Sequence, residues 1–138
     1  MGQVNLLAVL VGSVAFWVLG ALWYGPLFGK AWRDMNGITD DMIAAGPRPG
    51  QNPIWLIMLL SFAFEMVVVL MLGHNIARTN PVPHVIMMMA VGFAALIMAP
   101  ALGINYLYQM RPGKLFAIDA GYFVVGMTLA GGAFILLA

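Results

Sequence analysis

Residues 53–73 read PIWLIMLLSFAFEMVVVLMLG, an apolar run with a single ionisable side chain, Glu65. A helix that crosses the hydrocarbon core of a bilayer needs about 20 mostly apolar residues. This run has the length and the composition, so it predicts a membrane-spanning helix. Three further stretches qualify on the same terms, at about residues 4–24, 84–108 and 115–138. The whole chain of 138 residues is 63% hydrophobic and 8% charged, with a mean hydropathy of +0.96. Soluble domains carry about 25% charged residues, so this chain has too few charges to face water over most of its surface. The expected fold is all-α: an integral membrane four-helix bundle forming a single transmembrane domain over residues 1–138. Helical periodicity does not identify the inward faces, because the runs are apolar all round.

Local punctuation supports the four spans. Asn52-Pro53 offers an N-cap followed by proline at the first helical position, where its missing N–H costs nothing. Gly73 suits a C-cap. Residues 79–83, TNPVP, cannot continue a helix, and Arg111-Pro112-Gly113 breaks the chain in the same way. Pro100 lies inside the third span and predicts a kink at about Leu96 to Pro100. The leader Met1-Gly2-Gln3-Val4-Asn5 has no Lys or Arg, and the first run ends at Trp23-Tyr24 instead of a small-residue cleavage site. The first segment is therefore expected to be a retained span, not a signal peptide.

The one sizeable loop covers residues 25–52. From Pro26, the apolar Leu27, Phe28, Ala31, Trp32 and Met35 recur at helical spacing, with Lys30, Arg33 and Asp34 on the other side. This pattern predicts a short amphipathic helix lying in the membrane interface, ended by Asn36-Gly37. The alternative is an irregular loop whose Trp32 touches lipid. A second short turn is expected to start at Thr39, with Asp40 and Asp41 in its first turn, and to stop at Gly46-Pro47. Lys30, Arg33, Arg48, Arg111 and Lys114 all fall on one side of the membrane, and only Arg78 on the other. The positive-inside rule puts the five in the cytoplasm, with both termini outside.

Residues 20–32, GALWYGPLFGKAW, are similar to the signature of the domain of unknown function 1761 family of small bacterial membrane proteins, approximately Gly-x-x-Trp-Tyr-Ser-Pro followed by Leu-Phe-Gly-Lys-x-Trp. Residues 105–112, NYLYQMRP, lead through Leu115 and Ile118 to Gly121-Tyr122 and resemble that family's segment joining the last two spans. Together the two stretches make the resemblance one that covers the whole chain. Gly25 stands where the pattern has Ser, and one residue fewer separates Pro26 from Phe28. The resemblance implies a four-span bacterial membrane protein and implies no reaction.

Function must come from the residues themselves. Glu65 lies twelve residues past Pro53, about 18 Å along a helix and so near the middle of its span. An intramembrane carboxyl is a functional hypothesis by default. Ser13 and Thr128 fall at a similar depth and Ser61 lies one turn away, which makes a polar layer of Glu65, Ser13, Ser61 and Thr128. Such a Glu can tie helices together, handle a proton or cation, or contact a ligand. Asp119 lies one turn inside the fourth span. Asn105 and Asp119 are equidistant from Pro112, which predicts one level for both. An ion pair from Asp119 to Arg111, Lys114, Lys30 or Arg33 would fix the interfacial helix to the bundle. Trp23, Tyr24, Lys30, Trp32, Arg33 and Arg111 crowd the same interface, as an aromatic belt with snorkelling cations or as a lipid-phosphate site. The pairs Ala8/Gly12, Ala117/Gly121 and Gly126/Ala130 have the spacing that lets helices approach closely, within one chain or between copies.

His74, His84 and Met87-Met88-Met89 carry donors suited to Cu(I). Three consecutive methionines point about 100° apart on a helix, however, and no metal site is expected. No cofactor is expected, nucleic acid is excluded as a partner by the net charge of +1, and no motif supports an enzyme. The partners are membrane lipids, with a homo-oligomer or a larger membrane complex both open. Three roles remain. An accessory membrane protein acting through helix–helix contacts is favoured. A proton- or cation-coupled transporter or channel using Glu65 comes second, and a lipid or small-ligand binder at the cytoplasmic interface third.

Overall fold

A computed structural model describes residues 2–138. It contains four helices long and apolar enough to cross a membrane: Leu6–Leu27, Ile54–Thr79, Pro83–Tyr108 and Gly113–Leu136. The first consists of α1 (Leu6–Leu22) and a π turn at Trp23–Leu27. Two short helices follow, α2 (Gly29–Met35) and α3 (Asp40–Ala44). The second span is α4 (Ile54–Thr79). The third joins α5 (Pro83–Phe93) to α6 (Ala99–Tyr108) through a second π turn at Ala94–Met98. The fourth is α7 (Gly113–Leu136). The chain is an all-α, multi-pass membrane bundle.

Each π turn coincides with a proline. Pro26 lies inside the first, where the Phe28 N–H reaches back five residues to the Trp23 carbonyl at 2.8 Å. Pro100 stands at the start of α6, and the Ala99 N–H bonds back to Ala94. A proline removes one ladder bond and its ring presses on the carbonyl four residues earlier. Widening the preceding turn by one residue relieves both. The expected kink near Pro100 is therefore a π turn.

Several expected boundaries shift. The second span does not cap at Gly73 but runs on to Thr79, ending where Asn80 takes a left-handed conformation with φ 44°. Gly73 is a close-approach residue: a Cβ there would sit 2.9 Å from Phe134 and 3.2 Å from Val4. At the other end Pro53 itself, in an extended conformation, occupies the cap position expected for Asn52. The first span continues through Leu27, so the amphipathic helix begins at Gly29, not Pro26. Its end at Asn36 and Gly37, with φ 68° at the glycine, is as read. The fourth span starts two residues early, at Gly113.

The spans are not equivalent. The α7 helix is central and packs extensively on α1 along one side and on α5 and α6 along the other, whereas α4 lies outside α1. Small residues allow the α1–α7 approach. A Cβ on Gly12 would sit 3.3 Å from the Ala130 Cα, and one on Gly126 would run into the Phe16 ring. Ala8, Gly12, Gly126 and Ala130 are thus all buried within one chain. Ala117 is not: it is exposed, and Gly121 packs instead on Trp23. The core is completed by Phe16, Val69, Leu72, Ile86, Met127 and Phe134.

Candidate functional site

Two clusters of polar side chains lie on one face of α7, where Asp119 and Tyr122 are three residues apart and therefore neighbours. The first cluster centres on Asp119. Tyr24, from the π turn of the first span, donates its hydroxyl to Asp119 Oδ1 at 2.7 Å. Tyr106, from the third span, donates to Oδ2. Both carboxylate oxygens are thus occupied by phenols from two different spans. The ion pair expected from Asp119 to a cation gives way to these two phenols. Arg111 is turned elsewhere: it donates to Asn36 Oδ1 at 2.9 Å, and its guanidinium lies 4.5 Å from the centre of the Tyr106 ring. Lys30 is exposed and Arg33 half-buried. Asn105, expected level with Asp119, is exposed, and its neighbour Tyr106 takes that place. The left-handed Met110, with φ 55°, breaks the mirror symmetry on which the equidistance argument relied.

Aromatic packing fixes this end of the bundle. Trp23 donates its indole N–H to the Ile118 carbonyl at 2.9 Å and stacks on Phe28, with centroids 4.7 Å apart. Trp32 of α2 meets the Tyr24 ring edge-on at 5.9 Å. The short helix is thereby attached to the bundle through an aromatic contact and through Arg111–Asn36, and no Asp119 ion pair is involved.

The second cluster lies one turn further along α7. Tyr122 Oη is within hydrogen-bonding distance of the Phe16 carbonyl oxygen, at 3.0 Å, and of Glu65 Oε1. Its ring contacts Phe16, Tyr24 and Trp23, with centroids 5.1, 5.4 and 6.4 Å away. The side chain of Glu65 is buried, at 8% exposure, and Ser13 is fully enclosed at 0%. Glu65 Oε2 and Ser13 Oγ have no hydrogen-bond partner. The anticipated four-residue layer shrinks accordingly. Thr128 bonds back to the Val124 carbonyl of its own helix at 2.7 Å, and Ser61 is only half-buried. The member missed from the sequence is Tyr122, whose spacing from Asp119 was the available signal.

Away from α7, Trp17 donates to the Met58 carbonyl at 3.0 Å and ties α1 to α4. Asn5 caps α1 through the Ala8 N–H and donates to the Leu137 carbonyl at 2.9 Å. A groove of about 510 Å³ at that end is lined by Gln3, Asn5, Arg78 and Asn80 among others. His74 and His84 are exposed. Met87 packs on Gly131, Met88 faces outward and Met89 packs against the core. Among the described residues no three His, Cys, Asp or Glu side chains are grouped as metal ligands.

A family model described as "Protein of unknown function (DUF1761)" matches residues 7–135. No curated protein and no solved structure matches the chain.

Proposed function

Starting from the fact that this chain belongs to the DUF1761 family of proteins of unknown function, we propose that it is an accessory membrane protein acting through helix–helix contacts in the bilayer. The observation that carries this reading is the Asp119 clasp, in which phenols from the first and third spans occupy both oxygens of a carboxylate on the fourth. Buried polar groups used in this way fix helix positions, and each oxygen of this carboxylate already has a donor from another span. The Trp23, Trp17 and Asn5 bonds to carbonyls of other helices have the same character. The second span presents Ile54, Trp55, Phe64 and Val67 outward at 64–71% exposure, a face for lipid or for another helix, from a second copy or from a larger complex. The cation bias of the loops supports a cytoplasmic-membrane location with both termini outside.

Transport is the second reading, favoured by one observation, the unpartnered Glu65 Oε2. Flux measurements separate the two. Proteoliposomes carrying the wild-type chain are expected to pass protons and alkali cations no faster than protein-free vesicles. In the native host, Val67→Trp on the outward face should abolish complementation of a deletion while Glu65→Gln preserves it. Flux that requires the Glu65 carboxyl would overturn the accessory reading and establish transport.

A further inference from the structure

Both contacts of Tyr122 Oη are hydrogen bonds at the same time only if Glu65 carries a proton. A phenol has one hydrogen to donate. The Phe16 carbonyl can only accept, and Tyr122 Oη lies 3.0 Å from it. If that hydrogen goes to Phe16, the contact with Glu65 Oε1 needs a hydrogen from the acid. If it goes to Glu65, the Phe16 carbonyl keeps only its bond within α1. Asp119 presents the opposite case, because two separate phenols bring it two hydrogens and it accepts both as a carboxylate.

Ser13 and Glu65 lie along the same seam between α1 and α4. Gly12 of α1 meets Val69 of α4, with 3.3 Å to its Cγ1 from a Cβ. The Phe16 carbonyl meets Tyr122, which in turn meets Glu65. Ser13 lies between these two crossing points on α1, and Glu65 is one turn from Val69 on α4. Both Ser13 Oγ and Glu65 Oε2 are buried and unpartnered.

We propose that Glu65, Tyr122 and Ser13 form a proton-binding site. Glu65 holds the proton and donates it to Tyr122, which donates to the Phe16 carbonyl. A single water bridging Ser13 Oγ and Glu65 Oε2 is the carrier through which the proton exchanges. On release, the carboxyl turns its hydrogen from Tyr122 to that water, which passes the proton on to solvent, and the Tyr122 hydrogen turns from Phe16 to the carboxylate. Of the elements packed on α4, α1 has no ionisable residue, α5 has only the exposed His84, and α7 has Lys114, Asp119 and Tyr122, of which Tyr122 alone bonds to Glu65. This site does not depend on the accessory reading.

Glu65 is the one glutamate in the chain, so carboxyl-13C-glutamate labels it alone. Infrared difference spectra of labelled against unlabelled full-length protein in nanodiscs should show a carboxylic-acid C=O band at neutral pH. The band should shift to the carboxylate position reversibly at high pH, and should also shift in Tyr122→Phe, which removes the acceptor of the Glu65 proton. Its hydrogen–deuterium exchange should slow in Ser13→Val, which replaces the hydroxyl with a methyl group, and should be less affected in Ser13→Ala, which leaves room for the water. A carboxylate band from the wild-type chain at neutral pH would overturn the proton assignment without reference to any variant. Exchange as fast in Ser13→Val as in wild type would overturn the Ser13 route.

Discussion

Asp119 and Glu65 are the two carboxyls inside the bundle, and their surroundings differ in one respect that decides their chemistry. Asp119 sits where three spans converge and receives a hydroxyl from each of the other two. Glu65 sits on the outermost span, touches a single phenol that also faces a carbonyl, and keeps one oxygen unpaired. Burial alone does not assign a role to an intramembrane acid. The number of donors that reach it determines whether it is a fixed tie or an exchangeable group.

Variants can break or sharpen this contrast. Asp119→Leu should have the largest effect, because it strands the Tyr24 and Tyr106 hydroxyls together. We expect a loss of about 2–4 kcal/mol in reversible unfolding in mixed detergent micelles. Gly126→Ala should cost about 1–3 kcal/mol in the same assay by driving a methyl group into the Phe16 ring. Because Phe16 supplies the carbonyl under Tyr122, this change should disturb the Glu65 cluster and spare the Asp119 clasp, visible as a shift of the Glu65 carboxyl signal alone. Tyr106→Phe removes one of two donors from Asp119 and should cost about 0.6 kcal/mol, the average for polar side-chain bonds within a bilayer. Glu65→Gln should fall within about 0.5 kcal/mol of wild type, since an amide N–H can donate to Tyr122 as the acid does. A larger loss for Glu65→Gln than for Tyr106→Phe would show that Glu65, too, is a structural tie. Ala117→Leu, on an exposed position of α7, should leave stability unchanged.

The four spans are legible in the sequence because bilayer thickness sets their length and apolar runs of that length have few other uses. The Asn36-Gly37 stop and the Thr39 cap are legible because turn and cap chemistry is local; Thr39 Oγ1 accepts the Met42 N–H at 3.3 Å. The partners of Asp119 are not. Tyr106, Leu107 and Tyr108 are all plausible outward residues in an apolar helix, and only packing buries the first while leaving Tyr108 87% exposed. The reading of Gly73 as a stop has the same origin: a glycine that ends a helix and a glycine that admits Phe134 are identical until the neighbouring span is in place. Glu65 and Ser13 stand out in the sequence as polar residues in apolar runs, whereas Thr128, equally conspicuous, folds its hydroxyl back onto its own helix.

The two π turns have a consequence for how the clasp can be inherited. Each inserts one residue into a regular helix, which rotates everything beyond it by about 100° relative to an uninterrupted one. Tyr24 lies within the first widened turn and Tyr106 lies beyond the second. Tyr106 therefore reaches Asp119 by virtue of an angular offset. Deleting Ala95 would restore the regular winding ahead of α6 and swing Tyr106 away from Asp119 without altering a single residue of the clasp, so the cluster is vulnerable to changes in residue count as well as in residue type.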